Sequence, residues 1–187
     1  RHDLDDAEEL LQGFDGVLKI GLAGPWTLAA TVERPRGDRL LADHGARREL
    51  AQALTEGWFQ LREDLKRRIP GAKVLLQLDE PALTAVGDGT IPTASGFGRH
   101  RRVETPELAG AMKPLADGAW LHCCAPGKWL PVAERAGFAA AAVDTRLFRD
   151  SAEIDALVQW AQAGRGLALG VVDTAAGRVQ GVDELVR

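Results

Sequence analysis

Five apolar runs, each closed by a polar or tightly turned end, alternate with helix-like stretches along these 187 residues. That alternation restricts the fold more than any other feature of the chain. The runs cover residues 17–25, 73–81, the segment through His122 and Cys124, 138–145 and 166–174. Between them lie amphipathic patterns, the longest with Leu50, Leu54, Trp58, Leu61, Leu65 and Ile69 on one face, ended by Pro70-Gly71. Thr105-Pro106-Glu107 opens a second helix, a third runs from about Lys128 to Gly137, and Asp150 with Glu153 suits a capping box for a fourth. A further helix is expected near Val182. Strand and helix in alternation specify parallel pairing with right-handed crossovers.

The strand ends carry the chemistry-bearing residues: Gly24-Pro25, Asp79-Glu80-Pro81, His122-x-Cys124, Asp144-Thr145 and Asp173-Thr174. In a (β/α)8 barrel the carboxyl ends of the strands build the active site, so this pattern predicts an α/β fold of the TIM-barrel type. A doubly wound open sheet is the alternative, and its ligands also lie at strand ends. A full barrel takes about 250 residues and eight strands, so roughly five βα units make an incomplete one. The whole chain, 1–187, reads as a single domain. Arg1 stands where an initiating methionine would, and Arg187 falls in a helix barely begun, so truncation at both ends is expected.

Side chains alternate along a strand, which places His122 and Cys124 on one face and Cys123 on the other. Imidazole and thiolate are zinc-type ligands, and a His-x-Cys pair can supply two corners of a site. The competing reading is packing, because free cysteine is among the most buried residue types. Arg99-His100-Arg101-Arg102 could meet an anion, but a solvated surface run is the simpler reading. The net charge of −4 argues against a nucleic-acid surface. No long apolar span, signal peptide or lipidation motif is visible, so no membrane partner is expected and a cytoplasmic location follows by default. No GxGxxG or P-loop follows any strand.

Taken together, three motifs resemble the carboxy-terminal catalytic barrel of cobalamin-independent methionine synthase, within the methionine synthase/uroporphyrinogen decarboxylase-like barrels. Leu22-Ala-Gly-Pro-Trp-Thr27 resembles the family's Thr-Gly-Pro-x-Thr turn. Gln77-Leu-Asp-Glu-Pro-Ala82 and His122-x-Cys124 resemble its Gln-x-Asp-Glu-Pro-Ala and His-x-Cys. The resemblance implies zinc-dependent methyl transfer from 5-methyltetrahydrofolate, usually polyglutamylated, to homocysteine, giving methionine. His122 and Cys124 would then be zinc ligands, with Asp144 in the place of a family glutamate, and Asp79 would hold the homocysteine ammonium. Zinc would keep the sulfur as thiolate. The chain departs from the family in having no cysteine after Cys124 and in carrying Ala175 where many members have histidine. The general acid is not identified. The alternatives are a uroporphyrinogen-decarboxylase-like barrel enzyme without zinc and a non-catalytic binding module. Five strands also leave sheet edges open, through which self-association is expected.

Overall fold

A computed structural model describes residues 2–35, 37–148 and 150–172. Asp173-Thr174, Ala175 and the helix expected near Val182 lie outside the described residues. Helix α1 (His2–Leu10) leads into strand β1 (Gly16–Ala23), followed by α2 (Pro25–Thr31), α3 (His44–Arg68) and β2 (Ala72–Asp79). Then come α4 (Leu83–Asp88), α5 (Thr105–Met112), β3 (Trp120–Cys123), α6 (Leu130–Ala136), β4 (Ala140–Asp144), α7 (Ser151–Gln162) and β5 (Gly166–Gly170). The five strands form one all-parallel sheet in the order β1-β2-β3-β4-β5, so spatial order follows chain order without reversal. The mixed α/β fold expected from the alternating pattern is present.

The helices pack in a row, α2 on α3, α3 on α5, α5 on α6 and α6 on α7. They cover one face of the sheet. Leu76 and Leu78 of β2, Leu121 and Cys123 of β3, and Ala141 and Val143 of β4 enter the core from that face. On the opposite face Lys19, Gln77, Asp79, His122 and Asp144 stay exposed or half-buried. Trp26 is buried and donates its indole N–H to the Leu108 carbonyl at 2.9 Å, which ties α2 to α5.

Local signals account for the helix ends. Asp43 caps α3 by accepting the Ala46 N–H, so the helix begins several residues before the apolar stripe that starts at Leu50. Its first turn lies at the surface, where Arg47 pairs with Glu107 of α5 at 3.1 Å, and surface turns need no apolar period. Gly137 ends α6 with φ of 93°, a left-handed conformation open to glycine. Asp150 accepts the Glu153 N–H at 2.9 Å, as its place before α7 predicts.

The 87–103 segment is partly ordered by α4 and by a bridge between Pro92 and Arg99. The surface-run reading of Arg99–Arg102 is corrected at His100. That ring is buried, with Nε2 3.2 Å from Asp38 Oδ1, because Asp38 also accepts the Arg39 and Ala94 N–H groups and fastens two loops together. Among the described residues no helix is long and apolar enough to cross a membrane.

Candidate functional site

The carboxyl ends of β1, β2 and β3 are level, with Ala23 beside Asp79 and Asp79 beside His122 in the ladder. The pairing continues past the strands: the Gly24 N–H donates to the Asp79 carbonyl and the Glu80 N–H to the His122 carbonyl, each at 2.8 Å. Two strand-end motifs separated by more than fifty residues of sequence are thereby held side by side.

Glu80 locks them. Its side chain is fully buried, and its carboxylate accepts the Trp26 N–H at 2.9 Å, the Thr27 N–H at 2.7 Å and the Thr27 hydroxyl at 2.7 Å. The first amides of α2 have no partner within the helix, so a carboxylate set before them satisfies donors that would otherwise be orphaned. Burial pushes the Glu80 carboxyl up to about 7, opposed by the hydrogen bonds from Thr27 and Trp26 and reinforced by the nearby charge of Asp79. Gly24 leaves the necessary space, since a Cβ there would overlap the Glu80 carboxyl group. Sequence reasoning noted Glu80 only as part of a motif. Its neighbour Asp79 faces the open side of the sheet, so the next residue must face inward, and that parity was the available signal.

On the open face Asp79 Oδ1 lies 2.8 Å from His122 Nδ1 and accepts the Gln77 Nε2–H at 2.8 Å. Asp79 and His122 are each about one-third exposed, with side-chain exposures of 35% and 34%. Asp79 Oδ2 makes no hydrogen bond among the described residues and sits against Gly21, where a Cβ would come within 3.2 Å of it. Cys124 falls just past the end of β3 and is exposed. Cys123 is buried on the helix side, and burial pushes its thiol up to about 12.

His122, Cys124 and Asp144 all line one groove of about 350 Å³, together with Gln77, Arg146 and Gly170. They do not meet as a ligand set. Among the described residues no three His, Cys, Asp or Glu side chains are gathered as a metal site requires. Asp144 instead accepts the backbone N–H of Arg146 and a two-pronged pair from its guanidinium, at 3.0 and 2.8 Å. Those bonds hold the Asp144 carboxyl below the usual carboxylate range. Of the three expected donors, His122 and Cys124 share the groove without a third beside them, and Asp144 is committed to Arg146.

No family model matches the chain, and no curated protein or solved structure matches it. The site must be weighed on its own chemistry. A larger groove of about 550 Å³ runs between α3 and α5, but its Arg47 and Glu107 are paired with each other. The strand-end groove instead combines an exposed thiol with an imidazole that is anchored from behind by Asp79. A site is assigned by its convergent reactive groups rather than by its size.

Proposed function

We propose that this chain carries part of a zinc-dependent site for methyl transfer from 5-methyltetrahydrofolate to homocysteine, built on a (β/α)8-type barrel of which the described strands form an arc. Parallel strands in chain order, with helices on one face and reactive groups at the carboxyl ends, support the barrel reading. The observation that carries the function is the Asp79–His122 pair beside the exposed Cys124. A carboxylate on one ring nitrogen of histidine is the usual support for a metal-binding imidazole.

His122 and Cys124 would hold the zinc, which supplies a Lewis acid that keeps a thiol substrate deprotonated at neutral pH. The chain's own residues do the rest. Asp79 anchors the His122 ring through Oδ1 and offers Oδ2, beside the bare backbone of Gly21, to the substrate ammonium. Gln77 holds the Asp79 carboxylate in that orientation. The groove gives the amino-acid substrate room next to the thiol of Cys124.

A zinc-free barrel enzyme is favoured by one observation, the commitment of Asp144 to Arg146, which leaves the third expected zinc donor occupied. Equilibrium dialysis against zinc, with calorimetric titration of homocysteine, separates the readings. The proposal expects near-stoichiometric zinc that is lost in His122→Gln and Cys124→Ser, and homocysteine binding that depends on the metal. Zinc left unbound by the native chain, or held equally well by both variants, would overturn it. Homocysteine binding that ignores Cys124→Ser would favour the zinc-free enzyme.

A further inference from the structure

Lys19, Gln77, Asp79 and His122 form an unbroken hydrogen-bonded line across the open faces of β1, β2 and β3. Lys19 Nζ donates to Gln77 Oε1 at 2.7 Å, Gln77 Nε2 donates to Asp79 Oδ1 at 2.8 Å, and Asp79 Oδ1 faces His122 Nδ1 at 2.8 Å. The line has a direction. An ammonium can only donate, so the Gln77 oxygen must face Lys19 and its NH2 must face Asp79. A carboxylate can only accept, so Asp79 Oδ1 takes the Gln77 NH2 and is best matched by an N–H on His122 Nδ1, and the Gln77 bond fixes which oxygen faces the ring. The lysine head group also rests 5.8 Å from the centre of the Trp120 ring, a cation–π arrangement that restrains it.

We propose that Lys19 and Gln77 are positioning residues that hold Asp79 Oδ1 against His122 and so maintain the Nδ1–H tautomer the carboxylate selects, leaving the Nε2 lone pair for whatever the groove binds. This deepens the reading of His122 as a ligand, but the tautomer itself does not require that a metal be present. Neither residue hydrogen-bonds the histidine. Their effect passes through Asp79, and the consequence is chemical rather than structural: the same ring in the same place becomes a donor or an acceptor towards the groove.

Ring-15N-labelled full chain provides the test, read by long-range proton–nitrogen correlation in mildly alkaline solution. Loss of one signal in His122→Gln assigns the residue. Native protein should show a protonated Nδ1 and a bare Nε2, Lys19→Met and Gln77→Leu should shift the population towards the Nε2–H form, and Lys19→Arg should restore the native pattern. An Nε2–H or doubly protonated ring in the native chain overturns the inference, as does an unchanged ring in both Lys19→Met and Gln77→Leu. Lys19 is exposed, so its replacement leaves the core intact, and matching circular dichroism confirms that the folds compared are the same. Zinc titration of the same samples separates this inference from the functional one. If the functional reading also holds, affinity should fall by about tenfold in Lys19→Met, the lower end of outer-shell effects. A tautomer shift with no zinc bound to any sample would retain the positioning role and reject the zinc site.

Discussion

Glu80 Oε2 accepts two hydrogen bonds from Thr27, one from its backbone N–H and one from its hydroxyl, both at 2.7 Å. Glu80→Ala removes the acceptor and leaves the Trp26 and Thr27 amides unpartnered at the start of α2. Breaking a buried charged network of this kind typically costs about 3 kcal/mol or more. Urea unfolding should show a loss of that order, and a loss below about 1 kcal/mol, the typical net value of one hydrogen bond, would mean that the carboxylate is not what joins the two motifs.

The same residue gives the fold a pH dependence of definite sign. Its carboxyl is raised from an ordinary 4.5 to about 7 in the folded state, so the folded protein holds the proton more tightly than the unfolded chain. The associated stability is fully present below pH 4.5 and is lost as pH rises through about 7. The change amounts to about 3 kcal/mol. The penalty of Glu80→Ala should therefore be larger at pH 5 than at pH 8. Equal penalties at the two values would argue against this proton linkage.

Gly24→Ala brings a methyl group into the Glu80 carboxyl. A cost of about 2 kcal/mol fits overpacking at a site that cannot relax. In a Glu80→Ala background the collision is gone, so the two substitutions should be strongly non-additive, with coupling of about 1 kcal/mol or more. Additive thermal or urea data would dissociate Gly24 from Glu80.

The two adjacent cysteines should differ sharply towards an aromatic disulfide reagent at mildly alkaline pH. Cys124 is exposed, whereas Cys123 is 1% exposed with its thiol pushed up to about 12. Native protein should release one equivalent of chromophore quickly, Cys124→Ser should abolish that phase, and Cys123→Ser should preserve it. Two fast equivalents would contradict the burial of Cys123.

Arg146→Ala removes the guanidinium that occupies Asp144 and should return its carboxyl towards the ordinary range. If Asp144 is a latent third ligand, zinc affinity should increase, by about tenfold on the scale of such changes. A variant that binds zinc no better than the native chain would remove Asp144 from the ligand set.

The strands were legible because each is an apolar run with a marked end, and their parallel order follows from the intervening helices. The helix ends were legible where a cap or glycine marks them, as at Asp150 and Gly137. The start of α3 was hidden because residues 44–49 carry charge without an apolar period, and only the Asp43 cap betrays it. At the site, parity alone put His122 beside Cys124 and turned Cys123 inward. The links between strands were not legible, since Glu80 to Trp26 and Lys19 to Gln77 each join residues more than fifty positions apart. Arg146 was closer to hand: an arginine two residues after an aspartate at a strand end can close back on it, and that local competition displaced the expected ligand geometry.

The single helical layer divides the strands into two sets that can vary independently. On β2 the even-numbered Leu76 and Leu78 support the core, while the odd-numbered Gln77 and Asp79 lie on the open face; on β3 the parity reverses, with Leu121 and Cys123 inward and His122 outward. A lineage or an engineer could rewrite the groove residues wholesale, trading one chemistry for another, without disturbing a residue on which folding depends. Glu80 is the exception, because it lies next to the groove residues in sequence yet belongs to the core.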